Sequence, residues 1–514
     1  MKKCLRIVLV CLGLGLGIIS ASAFGAGKTL YFGLSGEPST MDPFIMTGTT
    51  FRTVKLAIFR GLVNYGVDGK LHPELAASYD VAPDGKALTF HLRDATFHDG
   101  SPVTANDVKA TYDYISSPTS TASFRGAFAI IDHIDVIDPK TVRFVLKAPS
   151  VSLIHYLALP EAVVVPAKWL AAHKDDMGTA TPIGAGPFQF VRWTRGRELV
   201  VKKFPGYYKP GKPSVDEIVY NFYADENTRV NAIKSGDVDI IDYVPARSLT
   251  ELRANPDLKV QSTLGPYMAL QFNMHSKPLS NVDVRQAIAY TIDRDAIIKT
   301  ALDGVGTPIW GIGIPEGYLG YSDAKKHFYK VDIAKAKALM VKAGYPNGFE
   351  VRLLATSQYS FYSKMAVVLQ SQLAQIGIKL KLDLPDWTTH MTKVTTGDYD
   401  ISIAGNVGEI TDPDWLSTLY YGGSQLVRSA NSAYFDDPQM DKLLDEGRAT
   451  TDEKKRGQIY QAFVDRALDL SPFLFLMWRD QSYALRKGVN GFVNMPAFLS
   501  FQSGFSLEDV TLQK

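Results

Sequence analysis

Tyr399-Asp400-Ile401-Ser402-Ile403-Ala404-Gly405 is an apolar run that suits a strand inside a buried sheet. It breaks into Asn406-Val407-Gly408-Glu409-Ile410-Thr411-Asp412-Pro413, and Asp414-Trp415-Leu416-Ser417-Thr418-Leu419-Tyr420-Tyr421 then reads as the start of a helix. Pro413 suits a first helical turn, because its missing N–H would have no partner there. Strand, loop, helix puts the loop at the carboxyl end of a strand, where open α/β sheets take their ligands. The expectation is two α/β lobes, with this loop lining the gap between them.

The residues upstream extend the same pattern. Asp332 is placed to cap a helix in which Ile333, Ala336, Met340 and Ala343 recur at helical spacing; Gly344 stops it and Pro346 blocks extension. Met365, Leu369, Leu373 and Ile376 repeat at spacings of three and four. Gly377 ends that helix, and Ile378-Lys379-Leu380-Lys381-Leu382 alternates as a half-buried strand. Near the amino end, Thr29 to Phe32 reads as a strand and Thr50 to Phe59 as a helix. Leu88 to Leu92 alternates as a strand between two turns, Asp84-Gly85 and Phe97-His98-Asp99-Gly100.

At 514 residues the chain exceeds what one hydrophobic core serves, so two or more domains are expected. A formal charge of +2 gives no case for nucleic acid as a partner. Lys2, Lys3 and Arg6, then the apolar run Ile7 to Ile19, then Ala21-Ser22-Ala23 read as a secretory signal peptide over residues 1–23. Its removal turns the formal +2 into about −1. Cys4 and Cys11 leave with it, so no disulfide and no cysteine-ligated metal is expected in the mature chain. The product reads as a soluble exported protein, most simply a bacterial periplasmic one.

A series of motifs gives the family. Asp84-Gly85, Leu92-Arg93, Phe97-His98-Asp99-Gly100 and Thr104-Ala105-Asn106-Asp107-Val108 resemble the signature of the family 5 extracellular solute-binding proteins, the dipeptide- and oligopeptide-binding components of ABC importers. Gly184-Ala185-Gly186-Pro187-Phe188, Ser235-Gly236-Asp237-Val238-Asp239, Val284-Arg285-Gln286-Ala287 with Ile292-Asp293-Arg294, and Ala343-Gly344-Tyr345-Pro346 continue the likeness in order. The resemblance implies a type II periplasmic-binding-protein fold: two hinged α/β lobes with an extra domain inserted in the first. Lobe I would take 28–56, 186–272 and 474–514, the inserted domain 57–185, and lobe II 273–473. The hinge strands would be Met268 to Asn273 going out and Phe473 to Met477 coming back.

The resemblance also implies site residues. Glu409 matches the position where dipeptide binders hold a cleft Asp for the ligand's ammonium group; the alternative is a solvated loop carboxylate. Asn406 falls where several peptide binders place a Trp. Thr356 stands where those proteins have an Arg for the ligand carboxylate, and a hydroxyl does not replace that fork. Arg352 or Lys364 would have to take its place. Tyr359, Tyr362, Trp387 and Trp415 together suggest an aromatic wall. Asp412 is a ligand candidate and equally a helix cap. Tyr267 with Met268 enters the hinge strand. Glu37 and Thr47-Gly48-Thr49-Thr50 face the cleft from the first lobe, or start a capped helix.

No H-E-x-x-H helix and no Gly-x-Ser-x-Gly elbow occurs, so neither catalysis nor a metal or cofactor is expected. His98 and the Gly184–Pro187 bend read as structural. The functional expectation is a periplasmic receptor, monomeric, that closes on a peptide or related amine-bearing solute. It would deliver that solute to the transmembrane subunits of an ABC permease and their ATPase. A peptide chaperone, a chemoreceptor ligand carrier and a periplasmic hydrolase are the alternatives. Among solutes, a dipeptide, a longer peptide, an opine-like conjugate, a metal chelate and a sugar stay open.

Overall fold

The computed structural model describes residues 28–46, 48–325, 328–422 and 433–513, without the Ala324 side chain. The signal-peptide reading of 1–23, with Cys4 and Cys11, lies outside the described residues, as do Thr47 and His327.

The opening stretch does form a buried strand. Ile401–Asn406 has Ile401, Ser402 and Ile403 fully covered. It lies parallel to Phe349–Leu354, which in turn pairs with Ile378–Asp383. In the last of these, Ile378 and Leu380 face the core and Lys379 and Lys381 face water, as their alternation requires. The helix Ser360–Ala374 covers the strands with Met365, Leu369 and Leu373, and Gly377 follows it at φ 81°, a conformation that favours glycine. Asp332 caps Ile333–Lys342 by accepting from Lys335 N at 2.9 Å.

On the opposite flank, Thr29–Leu34 runs parallel to Glu217–Phe222 and to the short Ile240–Ile241 strand. Glu198–Lys203 and Phe188–Thr194 continue that flank as an antiparallel edge. Two long antiparallel strands join the flanks. The outgoing strand is Leu258–Phe272 and the returning strand is Phe473–Arg486. They lie at the centre of an eleven-stranded sheet, with the Ile401 strand on one side and Ile240–Ile241 on the other.

Both crossing strands run longer than the apolar runs that announce them. Gly265 and Pro266 look like a break, yet the strand continues through them as a bulge. Pairing shifts register between Leu264–Asp480 and Tyr267–Trp478, so two residues of the outgoing strand oppose Arg479 alone. Proline, with no N–H to offer a ladder, fits such a position.

Residues between the first and second strands of the sheet build a separate four-stranded antiparallel sheet, in the order Ala76–Val81, Ala87–Leu92, Thr141–Leu146, Ile131–Asp138. The helix Ala105–Ser116 packs on it, its start fixed by the Asp107 carboxylate accepting from Thr104 N at 2.9 Å. The Gly184–Pro187 bend closes this region. A side chain on Gly184 would meet the Ile58 carbonyl oxygen at 2.2 Å, so the backbones approach too closely for any other residue. His98 locks the bend through Gly186 O at 3.1 Å, and burial pushes its imidazole down to about 4, so it stays neutral. Among the described residues, no helix is long and apolar enough to cross a membrane.

Candidate functional site

The two flanks of the sheet enclose a cavity of about 960 Å³, counting the part open to solvent. The crossing strands form its floor through Tyr267, Ala269, Gln271, Phe473 and Arg479. The Ile401 strand ends on it with Ala404, Gly405 and Asn406, and Asn406 pairs in register with Tyr267. From the segment before the first long helix, Met46 and Gly48 close the far side.

One wall is aromatic, and local structure puts it there. Tyr359 caps the helix Ser360–Ala374, and Phe361 and Tyr362 sit on its first turn. Trp387 opens the helix Trp387–Thr396, set by its cap Asp386, which accepts from Thr389 N at 3.1 Å. Trp387 meets Tyr359 edge-on at 5.5 Å and lies parallel to His390 at 5.4 Å. Burial lowers the His390 imidazole to about 4, so this ring offers neutral nitrogens and no charge. Across the cavity Tyr243 stacks on Tyr359 at 5.1 Å.

Arg479 stands where these rings meet. Its guanidinium packs over Tyr243 at 4.9 Å and over Phe361 at 5.1 Å. The residue is 6% exposed. Its Nη1 donates to Gln481 Oε1 at 3.0 Å and to the Asp480 carbonyl at 3.2 Å, while Nε has no partner. No carboxylate is paired with it among the described residues. A buried cation without a counter-ion costs several kcal/mol unless something supplies the charge. The bulge at Gly265-Pro266, opposite Arg479, is the backbone feature that re-aims this position.

Of the residues named from sequence, Gly48, Tyr267, Tyr359, Tyr362, Trp387 and Asn406 line the cavity. Glu409, Asp412, Trp415, Thr356, Glu37 and Thr49 do not, and each has a physical reason. Glu409, expected to receive a ligand ammonium, is 2% exposed and bonded to Arg52 Nη1. Arg52 also forks onto Glu161 at 3.0 and 2.9 Å. Burial pushes the Glu409 carboxyl up to about 7, against the pull of Arg52 and with the push of Glu161. Asp412 caps Asp414 N at 2.9 Å and holds Arg456 by two contacts of 2.7 Å. Burial alone would raise its carboxyl; Arg456 outweighs that and keeps it below the ordinary value. Trp415 lies behind the wall, 1% exposed between Tyr267 and Phe498.

Thr356 is fully buried and donates to Pro385 O at 3.0 Å. Neither Arg352, bonded to Asp398, nor Lys364, 3.7 Å from Asp303, takes up the missing fork. Glu37 accepts from Gly196 N at 2.9 Å, away from the cavity. Thr49 stands one step back, its hydroxyl 3.1 Å from that of Tyr243.

The loop after Asn406 therefore has another task. Ser152 donates to Asp412 at 3.1 Å, Tyr156 donates to the Asp414 carbonyl at 2.9 Å, and Tyr65 accepts from Thr411 N at 3.2 Å. The loop is the seat on which the four-stranded-sheet region rests. Sequence reasoning missed Arg479, Tyr243, Gln271, Phe361 and His390. The one available signal was Arg479-Asp480, a charged pair directly after the apolar run Phe473 to Trp478. Among the described residues, no group of three His, Cys, Asp or Glu is placed to hold a metal.

Residues 70–426 match the family described as bacterial extracellular solute-binding proteins, family 5 Middle. The chain is also 32% identical over 503 residues to the glutathione-binding protein GsiB of Pectobacterium atrosepticum, covering 96% of each. It belongs to the family 5 extracellular solute-binding proteins. Its fold is the two-lobed one of periplasmic binding proteins. AgaA, solved in complex with agropinic acid and coming from A. tumefacien, is 60% identical, with a TM-score of 0.92 over 95% of this chain and 99% of that one. DppA of Helicobacter pylori, solved with the peptide STSA, is 26% identical, with a TM-score of 0.87 over 95% and 98%. The family binds solutes for ABC import, and this receptor is a solute-binding protein of that kind.

Proposed function

We propose that this receptor captures a small carboxylic acid of the opine type, and that Arg479 takes the acid group. The carrying observation is the buried guanidinium on the cavity floor with an unpartnered Nε and no paired carboxylate. Around it, aromatic faces suit the C–H faces of a hydroxylated chain, and Asn406 and Gln271 supply polar groups beside them. Among the described residues no Asp or Glu lines this cavity, and none of the residues outside the described set is acidic. A peptide's ammonium group thus finds no carboxylate in this space. The 60% identity to a protein solved with agropinic acid supports the same class.

The working cycle follows from the connections between the flanks. Lobe I (28–56, 186–272, 474–514) and lobe II (273–473) hinge on the outgoing and returning strands, with 57–185 inserted. A solute touching both favours the closed form by its differential affinity. The closed form is what the permease's transmembrane subunits recognise; the receptor works as a monomer outside the cytoplasm, exported by residues 1–23, and performs no chemistry. Titration calorimetry with agropinic acid, glutathione and a dipeptide tests the ligand class. Agropinic acid is expected to bind at micromolar affinity or tighter, about −8 kcal/mol. Tighter binding of glutathione or the dipeptide would overturn the assignment in favour of a peptide receptor, the reading that the GsiB likeness favours.

A further inference from the structure

Each helix of the aromatic wall needs an acceptor for the amide hydrogens of its first turn. The helix Trp387–Thr396 carries its own. Asp386, one residue before it, accepts from Thr389 N at 3.1 Å and from the Thr389 hydroxyl at 2.7 Å. The helix Ser360–Ala374 does not. Its cap position is Tyr359, whose side chain makes no capping bond. The acceptor comes from the other flank of the sheet. Glu226 opens the helix Glu226–Ser235, which follows the strand Glu217–Phe222. Its carboxylate accepts from Ser360 N at 3.2 Å and from Ser360 Oγ at 3.0 Å.

That carboxylate sits between two helix starts, its own and that of Ser360–Ala374, and both present positive ends to it. Arg247 steadies it, donating to Glu226 Oε2 at 2.5 Å and to Asn227 Oδ1 at 3.0 Å. Two more contacts join the same edges. Gln358 accepts from Trp387 N at 3.3 Å and donates to the Ser35 carbonyl, just past the strand Thr29–Leu34, at 3.4 Å. Tyr243 stacks on Tyr359 at 5.1 Å. The seam borders a second space of about 590 Å³, which shares Tyr243, Tyr359, Phe361 and Arg479 with the solute cavity. Glu226 lines only the second space. The rings offered to a solute are therefore rings that the seam holds in place.

We propose that Glu226 is a positioning residue that latches the receptor shut, completing the start of Ser360–Ala374 only when the two flanks meet. It rests on the reading that the lobes hinge on the crossing strands. In the open form water solvates both the carboxylate and the helix start. Closure exchanges that water for a charge-assisted contact. The helix that presents Tyr359, Phe361 and Tyr362 thus gains its cap as the solute is enclosed. Glu226 acts on affinity through the population of the closed form, without touching the solute.

Two substitutions remove the contact from opposite ends. Glu226→Ala deletes the acceptor. Ser360→Pro deletes both donors at a first helical position, where proline is tolerated. Tyr359 before it, at φ −112° and ψ 117°, already has a conformation that suits a following proline. Agropinic acid is titrated into the whole chain, into each variant and into the double variant, with X-ray scattering and unliganded unfolding alongside. The parent contracts on binding. Each variant binds about tenfold more weakly, and the double variant no more weakly than either alone. The unliganded unfolding midpoint of both stays at the parent's value. Asp386→Ala, by contrast, lowers that midpoint, because its cap is present open or closed. Affinities within about twofold of the parent, additive losses in the double variant, or a lowered midpoint in both single variants overturn the latch and leave the hinge standing. A parent that binds without contracting overturns the hinge, and the latch with it. A parent that neither binds nor contracts overturns the receptor reading on which both stand.

Discussion

Arg52 and Arg479 are both buried guanidinium groups within the same interlobe region, and they are opposites. Arg52 is fully covered and saturated: two nitrogens go to Glu161 and one to Glu409. Arg479 is nearly as deep, yet it meets a carbonyl, an amide oxygen and two ring faces, with Nε left over. A buried charge whose partners are all internal belongs to the scaffold. A buried charge whose partner is lacking marks the place where a partner arrives. The first ties the helix Thr49–Ile58 to Glu161 and to Glu409. The second faces the cavity.

Replacing the saturated arginine is the harshest test of that contrast. Arg52→Met leaves Glu161 and Glu409 buried with only Lys55, at 3.1 Å from Glu161, to answer them. Stability should fall by about 3–5 kcal/mol, read from denaturant unfolding without ligand. Arg479→Met in the same assay should be neutral or mildly stabilising, because it removes a charge that nothing internal balances. If the two variants lose equal stability, the contrast fails.

Proton linkage sharpens the scaffold side. The Glu409 carboxyl sits at about 7 in the folded chain against 4.5 when free, through burial first and Glu161 next. A raised value means that its contribution is fully present below pH 4.5 and is lost as pH rises through 7. Unfolding free energy should therefore decline from about pH 5 to 8, by on the order of 1–3 kcal/mol from this group. Glu409→Gln should flatten that part of the curve; an unchanged slope would refute the assignment. On the ligand side the expected effect is smaller. Trp387→Ala, which removes one face of the aromatic wall, should weaken binding by about 1 kcal/mol, near fivefold, with unfolding little changed. Trp415→Ala should do the reverse, costing about 3–5 kcal/mol of stability as a buried core ring.

Much of the fold was legible because its signals are local. The capping pair Thr104 and Asp107, the alternation at Ile378–Leu382 and the helix end at Gly377 each lie within a few residues and appear as read. The site was half legible. Tyr359, Trp387 and Asn406 sit at helix starts and a strand end beside the cleft, and position alone points to them. Glu409 misled because its partner, Arg52, is 357 residues away in the chain, and no local pattern announces that pairing. Arg479 was hidden for a related reason: an apolar run reads as a core strand, and the bulge opposite it arises from pairing with Gly265-Pro266 across the sheet.

The direct test of the unpaired cation is Arg479→Gln, titrated with agropinic acid beside the parent protein, with unfolding measured on both. Loss of a charge-assisted contact of about 1.5–3 kcal/mol predicts roughly ten- to hundredfold weaker binding at unchanged stability. Equal affinity in the two proteins would show that the acid group is held elsewhere and that Arg479 is scaffold after all.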